Sequence, residues 1–454
     1  MIDLRCMNTM DTHSIVLGCS NSYLHYHQSK YYQPFTDHLK VLIGSMNTGR
    51  MENVVKWFTT NTARAFHKRG RGWRVSLDRS YYSGNKAKIG YRNVIKLLEK
   101  LEELGYITVY KGFVSSWKST DSGLTPEYVI GSYVVFNQPL IDKYHQLTDK
   151  SLNVKWEELD DVIEIRDRKT GEVMSNKGKK GVAEQRAKMQ HYNNSLKDAD
   201  IKYRGEPVCT VEYKRIFLNS LDVAGRLYVD GGGVQILEQR LRGEHLTIDG
   251  EKVVELDYHA IHPSILYQFL LMDGCNAYDV LGDDFSPYGA DLSFVPVVGE
   301  EIEQQSKLLG KKYNPLRNLV KLAILIGINS IDRSQAVGAM AGKVREDMFK
   351  DQEDKLFAGV VSPIPVGRIL DAVIEHNDLV SEHFYDDKGV VLQRVDSDIL
   401  MKVVEIMVQK GHTVLCYHDS VLTKQSAESD LREAMFDSWR SYFGNTLFCK
   451  VDSK

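Results

Sequence analysis

Two aspartates interrupt apolar, strand-like runs of the chain, where a charged side chain is unexpected. Asp257 ends the apolar run at residues 252–256 and precedes an apolar helix, and Asp419 lies inside the run at residues 413–422. A buried carboxylate is costly unless it is paired or bound to a metal ion. Two strands that bring these carboxylates together would hold two Mg²⁺ ions about 3.5–4 Å apart, which drives in-line phosphoryl transfer. Taken singly, each aspartate also fits a structural role at a strand end.

A second chemical pattern lies on a predicted helix between these aspartates. Asn314-Pro315 is typical of a helix start, because proline is tolerated in the first turn. Four residues then follow at steps of four and share one helix face: Arg317, Lys321, Leu325 and Asn329. Two cations on an otherwise apolar helix fit a triphosphate, which arginine clamps with two hydrogen bonds and lysine meets as a point charge. The alternative is a pair of long side chains that snorkel at the edge of a packed helix.

The first third of the chain has a different pattern. A helical pattern over residues 51–67 precedes a glycine-punctuated basic stretch at residues 68–74, a second helix is predicted over residues 91–104, and two β-rich runs follow. This order resembles a winged helix of the kind found at the front of phage and plasmid replication proteins. The resemblance implies that the second helix enters a major groove of DNA.

Charge is distributed unevenly along the chain, although all 454 residues together carry a net charge of only −3. Residues 51–100 contain 12 Lys and Arg against 3 Asp and Glu, a net of +9, and residues 251–300 contain 1 against 9, a net of −8. Arg92 and Lys96 lie on one face of the second helix and are predicted to contact DNA. Since phosphate neutralisation dominates such affinity, we favour DNA binding over a solvated basic helix in an interaction domain.

Composition excludes several classes of protein. A content of 43% hydrophobic and 26% charged residues is ordinary for a globular protein. No apolar run approaches the about 18–20 residues of a membrane helix, and the first residues lack the apolar stretch of a signal peptide. We therefore expect no membrane partner and a cytoplasmic location, in the bacterial host if a phage or plasmid encodes the chain. The six cysteines form no CxxC pair, so neither a zinc ribbon nor a disulfide framework is indicated.

These patterns together resemble the polymerase core shared by family A DNA polymerases and single-subunit phage and mitochondrial RNA polymerases. Five short motifs occur in the family's order over about half of the chain: DVAGR at 222–226, DYHAIH at 257–262, RxxxK at 317–321, QRVDSDI at 393–399 and HDS at 418–420. The resemblance implies that Asp257 and Asp419 bind two metal ions, with the backbone carbonyl of Tyr258 as a further ligand. It also implies that Arg317 and Lys321 grip the triphosphate of an incoming nucleotide.

The resemblance further implies nucleic-acid contacts from Arg226, Gln393 and His418. Three positions depart from the family's pattern. His262 stands where DNA polymerases usually have a glutamate that blocks a ribose 2′-OH, and Asn329 stands where a tyrosine helps to select the sugar. Ser420 replaces the glutamate of the DNA enzymes and matches the RNA enzymes. We expect His262 and Asn329 to flank the sugar, and the choice between deoxyribose and ribose stays open.

The chain is therefore predicted to have an α+β fold in three regions. Residues 1–139 are predicted to form a winged-helix DNA-binding domain, and residues 140–215 a connector or thumb-like region. Residues 216–454 are predicted to form a palm and fingers core, with an antiparallel palm sheet and with fingers at about residues 297–385.

The function that these patterns favour is a DNA-directed DNA polymerase that replicates a phage or mobile element by two-metal-ion catalysis. Its expected cofactor is Mg²⁺, for which Mn²⁺ can substitute. Its expected partners are template and primer DNA, nucleoside triphosphates and other replication proteins. No acidic exonuclease motifs precede residue 215, so proofreading is not expected. The alternatives are a DNA-directed RNA polymerase or primase, and a non-catalytic replication initiator.

Overall fold

The computed structural model describes residues 1–3, 19–20, 33–44, 49–83, 88–114, 117–120, 123–126, 129–148, 161–229, 233–275, 277–282, 285–310, 312–350 and 352–454. Over these residues the chain combines helices with sheets whose strand pairs are mainly antiparallel, in agreement with the predicted α+β class. None of the described helices is long and apolar enough to cross a membrane.

The N-terminal part of the chain packs helices against a five-stranded sheet. Its helices are α1 (Gln33–Ile43), α2 (Gly49–His67), α3 (Tyr91–Glu103) and α4 (Gln138–Leu147). Its strands are β1 (Ile2–Asp3), β2 (Cys19–Ser20), β3 (Gly72–Val75), β4 (Ile107–Lys111), β5 (Phe113–Val114), β6 (Trp117–Thr120), β7 (Gly123–Pro126), β8 (Val129–Ile130) and β9 (Ser132–Phe136). The strand order in the sheet is β1-β4-β9-β3-β2. Helix α3 buries a stripe of apolar residues at helical spacing and leaves Arg92 and Lys96 exposed.

The rest of the chain forms a larger body. Its helices are α5 (Val182–Leu196), α6 (Gln239–His245), α7 (Ile261–Met272), α8 (Ala277–Leu281), α9 (Gly299–Leu309), α10 (Pro315–Asn329), α11 (Arg333–Met348), α12 (Val366–His376), α13 (Gly389–Gln409) and α14 (Glu428–Phe443). Its strands are β10 (Ile163–Arg166), β11 (Val173–Met174), β12 (Ile201–Tyr203), β13 (Glu206–Pro207), β14 (Tyr213–Leu218), β15 (Ala224–Val229), β16 (Leu246–Ile248), β17 (Glu251–Tyr258), β18 (Leu415–Tyr417), β19 (Ser420–Lys424) and β20 (Val451–Ser453).

A seven-stranded sheet is the framework of this body. Its order is β13-β12-β16-β17-β19-β18, and β20 pairs with the end of β17 beside β16. All strand pairs along this path are antiparallel. Strand β17 is central because its residues pair with β19 on one side and with β16 and β20 on the other. A second sheet has the order β11-β10-β14-β15.

Two separate clusters of buried apolar residues underlie these two parts of the chain. One includes residues from Phe35 to Tyr144, and the other includes residues from Ile163 to Cys449. Much of the region that the sequence treats as a connector belongs to the second cluster. For example, the hydroxyl of Tyr192 donates to the carbonyl of Val414 at 3.0 Å. The division into three regions stays a prediction, but residues 163–213 pack with the larger body.

The basic stretch that follows α2 is engaged in ion pairs within the chain. Lys68, Arg69 and Arg71 pair with Glu212, Asp198 and Glu206 at 2.6, 3.0 and 2.7 Å respectively. Part of the positive charge counted over residues 51–100 is therefore already balanced by acidic residues of the larger body. The exposed face of α3 is arranged differently, since Arg92 and Lys96 have no ion-pair partner among the described residues.

Candidate active site

The two aspartates singled out by the sequence lie on neighbouring strands. In the antiparallel register, Asp257 at the end of β17 lies opposite Ser420 at the start of β19. Tyr417 pairs with Ser420, so His418 and Asp419 form the two-residue loop between β18 and β19. His418 has a φ of 55°, a positive value that such tight hairpin loops require at their first position. The loop thereby sets Asp419 one residue from the position opposite Asp257.

A cavity of about 610 Å³ lies over this strand pair. Predicted site residues that line it are Arg226, Asp257, Tyr258, His262, Arg317, Lys321, His418 and Asp419. These residues are far apart in sequence and come from β15, β17, α7, α10 and the β18–β19 loop. The cavity therefore brings the two carboxylates, both cations of the RxxxK pattern and the neighbouring polar groups to one place.

The surroundings of Asp257 destabilise the charged form of its carboxylate. Burial and the nearby charge of Asp419 raise its pKa, and this shift is opposed by Lys454 and by the hydroxyl of Ser420. Ser420 Oγ donates to Asp257 Oδ1 at 3.1 Å, and Lys454 Nζ lies 2.9 Å from Asp257 Oδ2. A carboxylate that is destabilised by a second carboxylate, and that already attracts a cation, favours the binding of positive charge.

The donor set fits a hard divalent cation such as Mg²⁺, because such ions prefer carboxylate and carbonyl oxygens. Tyr258 can contribute only through its backbone, since its side chain is 2% exposed and its hydroxyl donates to the carbonyl of Met435 at 2.7 Å. No group of three or more His, Cys, Asp or Glu suited to a metal occurs among the described residues. Three carboxylates of the described residues line the cavity, and that of Asp452 lies 2.7 Å from His259 Nδ1. Asp257 and Asp419 are the side chains that would hold such ions.

The opposite side of the cavity is cationic. Helix α10 begins as predicted, with Pro315 in its first turn and with the side-chain oxygen of Asn314 accepting from the backbone N–H of Arg317 at 3.0 Å. Arg317 and Lys321 both contact the ring of Tyr288, at 5.2 and 5.3 Å from its centroid. Burial and the charge of Arg317 lower the pKa of Lys321. Both cations line the same cavity as the acidic pair, and the negative charge of Asp257 partly opposes the lowering of the pKa of Lys321.

A buried network of ion pairs and hydrogen bonds around Asp396 lies behind a third side of the cavity. Asp396 on α13 is fully buried and accepts hydrogen bonds from Nε and Nη2 of Arg226, and His262 Nε2 lies 2.9 Å from its Oδ2. The network joins β15, α7 and α13. Burial and nearby Arg226 also lower the pKa of His418. His262 and Arg226 thus reach the cavity with their orientation fixed from behind by one carboxylate.

Backbone conformations that ordinary residues avoid occur directly before several of these side chains. Ala224 and Gly225 precede Arg226 with φ of 62° and 89°, and Ala260, the residue before α7, has a φ of 48°. A Cβ at Gly225 would lie 2.7 Å from the ring of Phe217. The position therefore requires glycine both for its positive φ and for this close contact. Strained backbone is often found at functional sites, where the surrounding packing maintains it.

Four predicted site residues do not line the cavity. Asn329 ends α10, and its side-chain amide donates to the carbonyl of Leu325 at 2.7 Å. Gln393 lies on α13, three residues before Asp396. Arg92 and Lys96 lie on α3 in the N-terminal part of the chain. Asn329 and His262 therefore do not line this cavity together, and their expected contact with the sugar stays a prediction.

Several residues of the site are absent from the sequence-based prediction, among them Tyr288, Asp396 and Lys454. Tyr288 lies between α8 and α9, and burial and the charge of Asp419 raise its pKa to about 12. Asp396 lies inside the QRVDSDI motif, so its position in that motif was the available signal. Lys454 reaches the cavity because β20 pairs with β17, a contact between residues almost 200 positions apart that no local pattern indicates.

Comparison with known proteins gives a distant structural similarity. No family model matches the chain, and no curated protein matches it. Among solved structures, the chain is similar to the POL domain of Pol1 from M. smegmatis in complex with DNA primer-template and dNTP. The identity is 12% and the TM-score is 0.29; the match covers 60% of this chain and 50% of that one, so the chain spans about half the length of its match. At this distance, function has to be argued from the site itself.

Proposed function

We propose that the chain is a template-directed nucleotidyltransferase, and specifically a DNA-directed DNA polymerase of a phage or mobile element. One observation carries the proposal: Asp257 and Asp419 line the same cavity as Arg317 and Lys321. Nucleotidyl transfer needs both halves of this arrangement. The acidic half holds divalent ions at the reacting atoms, and the basic half binds a triphosphate.

Each side chain then has a distinct task. Arg317 and Lys321 bind the triphosphate and orient its α-phosphorus toward the acidic pair. Asp257 and Asp419 hold the metal ions and fix the place where the primer end must lie. Bound there, Mg²⁺ supplies acidification of the primer 3′-OH and charge stabilisation of the pyrophosphate. His262, oriented by Asp396, faces the sugar and is the side chain we expect to discriminate between ribose and deoxyribose.

We further propose that the N-terminal part is a winged helix that binds DNA. Support comes from its topology: strand β3, a short 3-10 turn at Ser80–Tyr82, helix α3, and the antiparallel pair β4 and β9, of which β9 also pairs with β3. The exposed face of α3 would lie on the DNA. This arrangement would deliver a DNA end or origin to the catalytic body.

The test is primer extension by the full chain, with dNTPs or rNTPs, on primed and on unprimed templates, in Mg²⁺ and in Mn²⁺. We expect extension of primed templates with dNTPs. Asp257→Asn and Asp419→Asn should each lower the rate by several orders of magnitude and leave DNA binding largely intact. Asp273→Asn is a matched control, because Asp273 is an exposed acid at the end of α7. Near-normal extension by Asp257→Asn would overturn the proposal.

A second candidate, an RNA polymerase or primase, is favoured by one observation. Asn329 is bonded to its own helix, so His262 is the member of the predicted sugar-contacting pair that lines the cavity. A weak sugar barrier would admit ribonucleotides. Incorporation of rNTPs on unprimed templates would replace the first proposal with this one. A non-catalytic initiator is disfavoured because both acids and both cations are retained in one cavity.

A further inference from the structure

We infer that Lys454 is a built-in counter-ion for the acidic pair: it holds Asp257 when divalent metal is absent, and it competes with the metal for that carboxylate. The inference rests on the proposed function, because it concerns the same two aspartates. According to this inference, Lys454 sets the concentration of metal ion that is needed to fill the site.

The sheet places Lys454 at the site. Strand β20 pairs with β17 in a register that sets Asp452 opposite Asp257, and the backbone N–H of Lys454 then donates to the carbonyl of Glu255 at 3.0 Å. From this anchored position the side chain crosses to the acidic pair. Its Nζ lies 2.9 Å from Asp257 Oδ2 and donates to Ser420 Oγ at 2.7 Å. The ammonium therefore bridges the two strands that carry the site.

The contacts of Lys454 make it a competitor of the metal. Ser420 already donates to one oxygen of Asp257, and Lys454 takes the other. A metal ion that binds Asp257 must displace the ammonium from Oδ2 and meets its positive charge nearby. Repulsion between a divalent ion and a unit charge a few ångströms away is substantial in a partly buried site.

Two other roles for Lys454 make different predictions. As a partner of Glu255 it would be redundant, because Nζ lies 3.9 Å from Glu255 while Arg242 binds both oxygens of that carboxylate at 2.7 Å. As a contact for the leaving pyrophosphate, Lys454 would leave metal affinity unchanged when removed and would weaken nucleotide binding instead. Metal affinity in the absence of nucleotide therefore separates the roles.

The experiment measures Mn²⁺ binding to the full chain without nucleotide, by calorimetry and by electron paramagnetic resonance of the free ion. We expect Lys454→Gln to bind Mn²⁺ about threefold to tenfold more tightly, the range set by removing one nearby charge. Lys454→Arg keeps the charge and should stay close to the unmodified chain. Lys450→Gln is the matched control, because it removes an exposed lysine four residues earlier, whose Nζ donates to the carbonyl of Phe285.

Thermal unfolding in EDTA checks that each variant is folded, and Lys454→Met gives a second neutral side chain if Lys454→Gln is not. Unchanged or weaker Mn²⁺ binding in a folded neutral variant overturns the inference. Mn²⁺ binding that Asp257→Asn leaves unchanged overturns it as well. If the chain extends primers but the neutral variants bind metal normally, the inference fails and the proposed function stands. If metal binding tightens in a chain that extends no primer, the reverse holds.

Discussion

Tyr288 connects the two cations of the cavity, and a prediction at the scale of single residues follows from it. Both Arg317 and Lys321 contact its ring, and each such contact is worth about 0.5–2 kcal/mol. The ring therefore holds the two cations in position for the triphosphate that we propose they bind. We expect Tyr288→Leu to raise the KM for the incoming nucleotide about tenfold with a smaller effect on kcat, in single-nucleotide incorporation assays. Tyr288→Phe keeps the ring and should resemble the unmodified chain; a Phe variant as weak as Leu would contradict this role.

Lys321 provides a pH-dependent prediction. Its pKa is lowered by burial and by Arg317, so the ammonium loses its proton at a lower pH than an ordinary lysine. For a triphosphate-binding cation, kcat/KM should therefore fall as pH rises, beginning below the ordinary lysine range. Lys321→Arg keeps its charge to higher pH and should move this fall upward. An alkaline profile identical in the Arg variant would show that another group causes the fall.

What the sequence could show at this scale depended on local signals. Asp257, Asp419, Arg317 and Lys321 were all identified because each is a charge in an apolar run, and the structure sets them around one cavity. Tyr288, Asp396 and Lys454 have ordinary local surroundings, and their position at the site follows from tertiary contacts. Asn329 takes its expected role from the resemblance, because it stands where a tyrosine helps to select the sugar. That position does not report that its amide donates to the carbonyl of Leu325.

At the scale of elements, the network of Asp396 is the point where β15, α7 and α13 are tied together. Asp396 is fully buried and bonds to Arg226 and to His262. Removing one partner of a buried ion pair leaves an uncompensated charge, which costs about 3–5 kcal/mol. We expect Arg226→Gln to lower the free energy of unfolding by about 3 kcal/mol in urea titrations.

Arg333→Gln is the control for this prediction, because Arg333 and its partner Asp371 are more than half exposed. Its effect should be much smaller, since exposed ion pairs are screened by solvent. Equal effects from the two substitutions would mean that the Asp396 network is not a main tie between these elements. Such a result would also leave the orientation of His262 without the support that the proposed sugar contact requires.

Elements with strong periodicity were predicted closely, and elements defined by long-range pairing were not. The helix predicted over residues 91–104 is α3, which spans Tyr91–Glu103. The break at His418-Asp419 was visible as an interruption of an apolar run, and it is a hairpin loop. The pairing of β20 with β17 has no such signal. A strand of three residues is too short to show a pattern, and it forms only because it pairs with a distant strand.

At the scale of the whole molecule, the positive charge of residues 51–100 falls into two groups, one paired with acids of the larger body and one exposed on α3. Lys68, Arg69 and Arg71 are paired with acids of the larger body. Those ion pairs connect the N-terminal part of the chain to residues 198–212 of the larger body. The exposed charge on α3 is not used in this way. The net excess of residues 51–100 therefore overstates the charge that is free to meet a phosphate.

This difference predicts which cations govern DNA binding. Each phosphate contact adds about 0.9 to the slope of log affinity against log salt concentration. We expect the double variant Arg92→Gln and Lys96→Gln to lower that slope by about 2 and to weaken binding to duplex DNA of any sequence. The double variant Arg69→Gln and Arg71→Gln removes the same charge but should change the slope little, because its cations are already bonded to carboxylates. Fluorescence anisotropy with a labelled duplex at several salt concentrations measures the slope for both double variants.

If the two double variants lose slope equally, the ion pairs with Asp198 and Glu206 open on binding. DNA then reaches the junction between the two parts of the chain as well as α3.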